Sequence, residues 1–298
     1  MSWTDEAVEK LCGLKSWGYV HGGPSFSEPT ALAAQAMVAY GRVDEADLAC
    51  RWLIDRQSRH GRIGIEADES TPGWATGHAV LAWLARREAV ADGTQPFDHP
   101  IGLACAWILS IAGRTLPPSP TYGHDTTLVG WPWVVGTHSW VAPTATNVLA
   151  LKAAGYADHP RVREAVRLLF NRLLPDGGAN YGNTTVLGHQ LRPHLEPTGW
   201  ALMALAGESP PDDRLRQTVE YARRAATHCH TPWSLSCALM GLAAHGQTLA
   251  DADGRLRRAF EHAVAAGSAC KMALVLLAAR GTDGPLIQLP RGSREGVS

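Results

Sequence analysis

The chain has 298 residues, 45% of them hydrophobic and 18% charged, and a formal net charge of −1. That apolar share fills one large core or two modest ones, and the near-neutral balance offers no electrostatic case for nucleic acid. No apolar run reaches the ~18 residues of a membrane span, and the six cysteines lack C-x-x-C pairing, so reduced thiols in a cytoplasmic setting are expected instead of a disulfide framework or a zinc ribbon.

In chain order, the acidic opening MSWTDEAVEK is unlike a signal peptide, and residues 4–16 read as an amphipathic helix. Residues 27–41, SEPTALAAQAMVAYG, form a helix apolar nearly all round, opened by Glu28 and Pro29 and closed by Gly41. The alternation then repeats. An amphipathic helix at 43–58 precedes an apolar one within 71–84, TPGWATGHAVLAWL, and a helix at 98–113 precedes VAPTATNVLALKAAG at 141–155. HPRVREAVRLLFNRLL places Val162, Ala165, Val166 and Leu169 on one stripe and arginines on the other. LEPTGWALMALAG, 195–207, is apolar again. The amphipathic 211–228, the apolar TPWSLSCALMGLAAHG at 231–246, the amphipathic 251–267 and the apolar 268–281 complete the series. Proline in a first turn presets φ without losing a hydrogen bond, and glycine suits a left-handed C-cap. Strand signals are scarce.

Six alternating pairs close naturally into an all-α (α/α)6 toroid of about twelve helices, the apolar set inside and the amphipathic set facing water. The rival open solenoid needs polar capping repeats, and neither terminal pair is especially polar. The expected organisation is one toroid domain over 1–281 and a C-terminal tail over 282–298.

The stretches EPTALAAQAM, GWATGHAVLAWL, WVAPTATNVLALKAAG, PDGGANYGN and EPTGWALMALAG resemble the prenyltransferase and squalene-cyclase repeat, the α/α-toroid of terpenoid cyclases and protein prenyltransferase β-subunits. Gln57 and Gly61 keep two landmarks of that family's Gln-x3-Gly-x-Trp motif, and Ile63 replaces its Trp. The resemblance implies a large apolar cavity, an apolar small-molecule substrate, and a second domain or partner subunit. The cyclases' Asp-x-Asp-Asp proton donor and the prenyltransferases' Asp-x-Cys zinc pair are both missing.

The chain carries 11 Trp against 4 Phe, and 13 His. Small polar residues recur one turn into the apolar helices at Thr76, Asn147 and Ser236, and a little further on at Gln35 and His78. They are candidates to line the cavity. Glu28 and Glu196 are read as helix N-caps on opposite repeats, with Glu28 expected to face the cavity beside His78 and Gln35. The insertion 118–142 supplies His124 and Asp125 as a proton-transfer pair, with Trp131, Trp133, His138 and Trp140. Binding of a metal by His124, Asp125 and His138 has no spacing signature, so no metal or cofactor is expected. Tyr181, Trp74, Trp200 and Trp233 would complete an aromatic basin. The catalytic candidates are therefore Glu28, His78, His124, Asp125 and Glu196. The leading expectation is a terpenoid-cyclase-like enzyme that protonates, cyclises or isomerises an isoprenoid. The alternatives are a non-catalytic binding or scaffold subunit of the same fold, and a carbohydrate-active (α/α)6 hydrolase or lyase.

Overall fold

The computed structural model describes residues 2–66, 72–90 and 97–291. Thr71, which starts one of the repeating segments, lies outside them. In chain order the long helices are α1 (Trp3–Cys12), α2 (Ser27–Ala39), α3 (Val43–Ile54), α4 (Thr76–Glu88), α5 (Asp98–Ser110), α6 (Val141–Ala153), α7 (Pro160–Arg172), α8 (Leu195–Leu205), α9 (Arg214–Ala226), α10 (Pro232–Ala244), α11 (Ala252–Ala265) and α12 (Ala269–Ala279). A two-residue hairpin, β1 (Thr185–Val186) with β2 (His189–Gln190), is the one small sheet among the described residues.

The even-numbered helices form the inner ring. α2 packs on α4, α4 on α6, and so on through α12, which returns to α2 and closes the circle. The odd-numbered helices lie outside, each against one or two inner neighbours. Sequence pattern and position agree. Every residue of α2 from Ser27 to Met37 is buried, whereas the outer α7 buries a stripe that includes Val162, Ala165, Val166 and Leu169. The protein is an all-α toroid, as its periodicity predicts.

Small residues let six helices share one ring. A Cβ added to Gly199 of α8 would stand 2.1 Å from the Cys237 carbonyl oxygen of α10. One added to Gly77 of α4 would stand 2.5 Å from Asn147 Oδ1 of α6.

Helix starts differ from the sequence expectation in one respect. α2 and α8 begin earlier, after Phe26 and His194, so Glu28 and Glu196 are second helical residues and not N-caps. Five of the inner helices, α2, α4, α6, α8 and α10, have no side-chain cap at all. Loops supply partners for free N–H groups at three inner-helix starts, those of α2, α6 and α12. Ser27 N donates to the Ile65 carbonyl at 3.0 Å, Val141 N to Tyr181 at 2.7 Å, and Cys270 N of α12 to Gly18 at 3.3 Å. In each case the acceptor belongs to the loop entering the next inner helix around the ring. Threonines complete the joint from the other side. The Oγ1 atoms of Thr76, Thr144 and Thr198 accept the backbone N–H of Ile63, Trp131 and Ala179, each at 2.9 Å.

Beyond α12 the chain, expected to be a tail, forms a 3-10 turn at Gly281–Asp283, the single-turn α13 (Pro285–Gln288) and a last turn at Leu289–Arg291. These turns pack successively on α10, α6 and α4, and Leu286 and Ile287 are buried.

Replacing Gly199 with Ala should destabilise the fold by about 1–3 kcal/mol through overpacking at the α8–α10 crossing. A Cβ added to Gly102 of α5 would meet nothing within 4 Å, so Gly102→Ala should instead stabilise by about 0.5–1 kcal/mol. Denaturant unfolding of the two variants checks the opposite signs.

Candidate active site

The inner helices present their N-terminal ends on one face of the ring, and two groups of polar residues gather there. The first surrounds Glu28, which is 6% exposed. The Tyr19 hydroxyl, carried by the loop into α2, donates to Glu28 Oε2 at 2.6 Å. His78 Nε2 of α4 stands 3.6 Å from Glu28 Oε1, too far for a hydrogen bond. Trp200 of α8 meets the His78 ring edge-on at 5.3 Å. α4 and α8 are not ring neighbours, so this contact crosses the interior. Trp74 stands edge-on to His78 at 6.1 Å and to Trp133 at 4.7 Å.

The electrostatics follow from burial. Burial raises the Glu28 carboxyl from an ordinary 4.5 to about 7, the charge of Glu196 adds to the rise, and the Tyr19 hydrogen bond opposes it. A helix N-terminus also favours the carboxylate, but its effect is the smaller one here. Burial lowers the His78 imidazole to about 3. At neutral pH the imidazole is therefore uncharged while the carboxyl is only about half ionised, so the contact is not an ion pair. Glu196 is half-buried and its carboxyl is likewise raised by burial. The Tyr181 hydroxyl is raised by burial and then by the charge of Glu196.

Several expected lining residues share a second property. Gln35 Oε1, His78 Nδ1, Asn147 Oδ1, Trp233 Nε1 and Ser236 Oγ are buried atoms without a hydrogen-bond partner in the protein. They sit on α2, α4, α6 and α10, and each unpaired group costs about 1–3 kcal/mol.

Other expectations fail on geometry. Thr76 is a structural clamp on Ile63, and its hydroxyl also donates to the Gly73 carbonyl at 2.7 Å. Trp131 is fully buried, donates to the Ile108 carbonyl of α5 at 2.8 Å and lies under the Arg161 guanidinium, which places it toward the outer ring. His124 and Asp125 do not form a proton-transfer pair. Asp125 Oδ1 accepts from Thr127 N at 2.8 Å and Thr127 Oγ1 at 2.6 Å, while His124 Nδ1 accepts from Thr184 N at 3.4 Å. Burial, and secondarily Arg172, lowers His124 to about 4. His138 stacks at 4.3 Å on Trp140, the residue preceding α6. Among the described residues no group of three or more His, Cys, Asp and Glu side chains could hold a metal ion. No described helix is long and apolar enough to cross a membrane.

Two residues of consequence escape sequence reasoning. Tyr19 lies in the loop GYVHGGP, which has no periodicity, and Arg172 ends an outer helix whose arginines read as a solvated face.

The toroid is shared with solved glycosidases and with part of an alpha-2-macroglobulin. A glycosidase point variant matches 96% of this chain and 97% of its own at a TM-score of 0.58 and 13% identity. A point variant of a reducing-end-xylose releasing exo-oligoxylanase matches 95% of this chain and 93% of its own at 0.57 and 12% identity. A Salmonella alpha-2-macroglobulin reacted with methylamine matches 94% of this chain over 17% of its own, at 0.53 and 14% identity. No protein-family model matches the sequence, and no curated protein does. At these identities the likeness establishes the fold alone. The resemblance to prenyltransferases and squalene cyclases is therefore supported for the toroid and not for the family.

The Glu28 carboxyl makes a stability prediction. Its folded value lies above its ordinary value, so its contribution is full below about 4.5 and is lost as pH rises through about 7. Glu28→Gln removes that loss. The variant's melting temperature should gain on the wild type between about pH 5 and about pH 8. Thermal unfolding across that range checks the sign.

Proposed function

We propose that the protein is a carbohydrate-active hydrolase with Glu28 as its general acid and Glu196 as the opposing carboxylate. The reading is supported by the unpaired buried polar atoms on the inner helices, together with a carboxyl that burial raises to about 7. An isoprenoid offers no hydrogen-bond partner to Gln35, Trp233 and Ser236, whereas sugar hydroxyls both donate and accept. This is why the terpenoid-cyclase expectation gives way to the carbohydrate one. The glycosidase-like fold is consistent with the choice but does not make it, because one fold hosts many chemistries.

The chemistry balances with the groups present. The Glu28 carboxyl gives its proton to the glycosidic oxygen as the bond to the anomeric carbon breaks. The positive charge developing on the sugar is met by the Glu196 carboxylate and by indole faces, which attract cations. Water adds to the anomeric carbon and passes its proton to Glu196. Tyr19 positions the acid. His78, neutral beside it, leaves the carboxyl without a cation that would ionise it.

Aryl glycosides and a panel of short oligosaccharides test the reading. Hydrolysis is expected, with kcat/KM falling as pH rises through about 7 because Glu28 must carry its proton. Glu28→Gln should lower kcat by ~10²–10⁴ while the protein stays folded. An inert wild type across the panel, or a fully active Glu28→Gln, would end the proposal. Binding of sugars without cleavage would leave the non-catalytic subunit standing.

A further inference from the structure

A second pocket lies between the loop entering α6 and the loop entering α8. Its volume is about 120 Å³, and its wall includes Arg114, Tyr122, His124, His138, Arg172 and Asn183. It shares no residue with the surroundings of Glu28, and no Asp or Glu is among the residues that line it.

Arg172 is the unusual member. It is the last residue of α7 and is 5% exposed. Its Nη1 donates to the Asp125 carbonyl at 3.0 Å and to Asn171 Oδ1 at 2.5 Å, both uncharged acceptors. Its Nε is buried and has no partner. Among the described residues Arg172 makes no ion pair. Asp125 is the closest acid by sequence and contact, yet it is exposed and its Oδ1 already serves Thr127. A guanidinium taken from water normally finds a carboxylate, because an unmatched buried charge is costly. Here the nearest carboxylate, Asp125, acts on the guanidinium only at a distance and forms no direct ion pair with it.

The surroundings compound the imbalance. Arg114 is exposed and also lacks an ion pair among the described residues. Its backbone is bridged to His138, which brings a second cation and a ring to the same wall. The field of Arg172 helps to lower both His124 and His138. Thr126, Ser139 and Asn183 add hydroxyl and amide groups, and Leu116, Leu128 and Tyr122 add carbon surface. The volume has room for more than a single water.

We propose that this pocket binds a compact oxyanion, a carboxylate or phosphate group, with Arg172 as its buried cation and Arg114 at the entrance. The planar guanidinium fork matches either group. The leucine and tyrosine walls would hold a small body attached to it. This inference stands apart from the hydrolase reading and would survive its failure.

Calorimetric titration of the full chain with inorganic phosphate, sulfate and D-glucuronate, at ionic strength held constant with chloride, tests it. At least one should bind saturably. Tighter phosphate assigns the pocket to phosphoryl groups, and tighter glucuronate to organic carboxylates. Arg172→Met should weaken binding at least tenfold, and Arg114→Ala measurably, with Glu28→Gln unchanged. If Arg172→Met does not fold, Arg114→Ala decides. Failure of all three anions to saturate the wild type overturns the proposal. So does wild-type affinity in Arg114→Ala together with a folded Arg172→Met, or in Arg114→Ala alone where Arg172→Met is unfolded.

Discussion

Everything on the working face of this toroid depends on the hydrogen bonds that the first turns of its inner helices still need. A helix start leaves four N–H groups without intrahelical partners, and here those starts are packed inside protein. Side-chain caps would point polar atoms into a crowded ring. At three starts the loop entering the next inner helix crosses its neighbour, so that loop carbonyls at Ile65, Tyr181 and Gly18 accept from Ser27, Val141 and Cys270. Thr76, Thr144 and Thr198 then hold the backbone of the same class of loop. Helix ends and loops are thereby fixed together. The loops carry Tyr19, Trp133 and His138, so the rigidity of the ring passes directly to the site.

This joint also explains why the sequence is legible for the fold and only partly for the site. Ring membership is written in composition: Ala, Leu and Met all round for α2 and α10, a single stripe for α7 and α9. The Pro-Thr pair at Pro143–Thr144 and Pro197–Thr198 is visible in the sequence, but its meaning is not. A hydroxyl that clamps a loop far back in the chain looks like any helix-opening threonine until the loop is in place. The glutamates stand out for the right oddity and suggest the wrong position, because a neighbouring loop does the work that a cap would do.

The site residues divide along physical lines. Residues on helices, such as Glu28, His78 and Trp200, fall where periodicity puts them. Residues on the long insertion are separated by its backbone path: Trp131 turns toward the outer ring under Arg161, and Asp125 turns to its own Thr127. Adjacency in sequence suggests a His124–Asp125 couple that the turn geometry forbids. Arg172 is hidden in the sequence because nothing in an outer-helix stripe tells which arginine will be covered by a loop. Burial then decides the chemistry. It outweighs the helix dipole at Glu28 and removes the charge from His78, so the interior holds a carboxyl of raised proton affinity beside a neutral imidazole.

The short turns after α12 tie the ring together from outside its helix series. They touch α10, then α6 and α4, and bury Leu286 and Ile287 on the way. α10 is not a ring neighbour of α6 or α4, so this strap couples helices that the circle itself keeps apart. Loosening one of them pulls on the others, and the chain beyond the twelfth helix thereby takes part in the cooperativity of the whole fold.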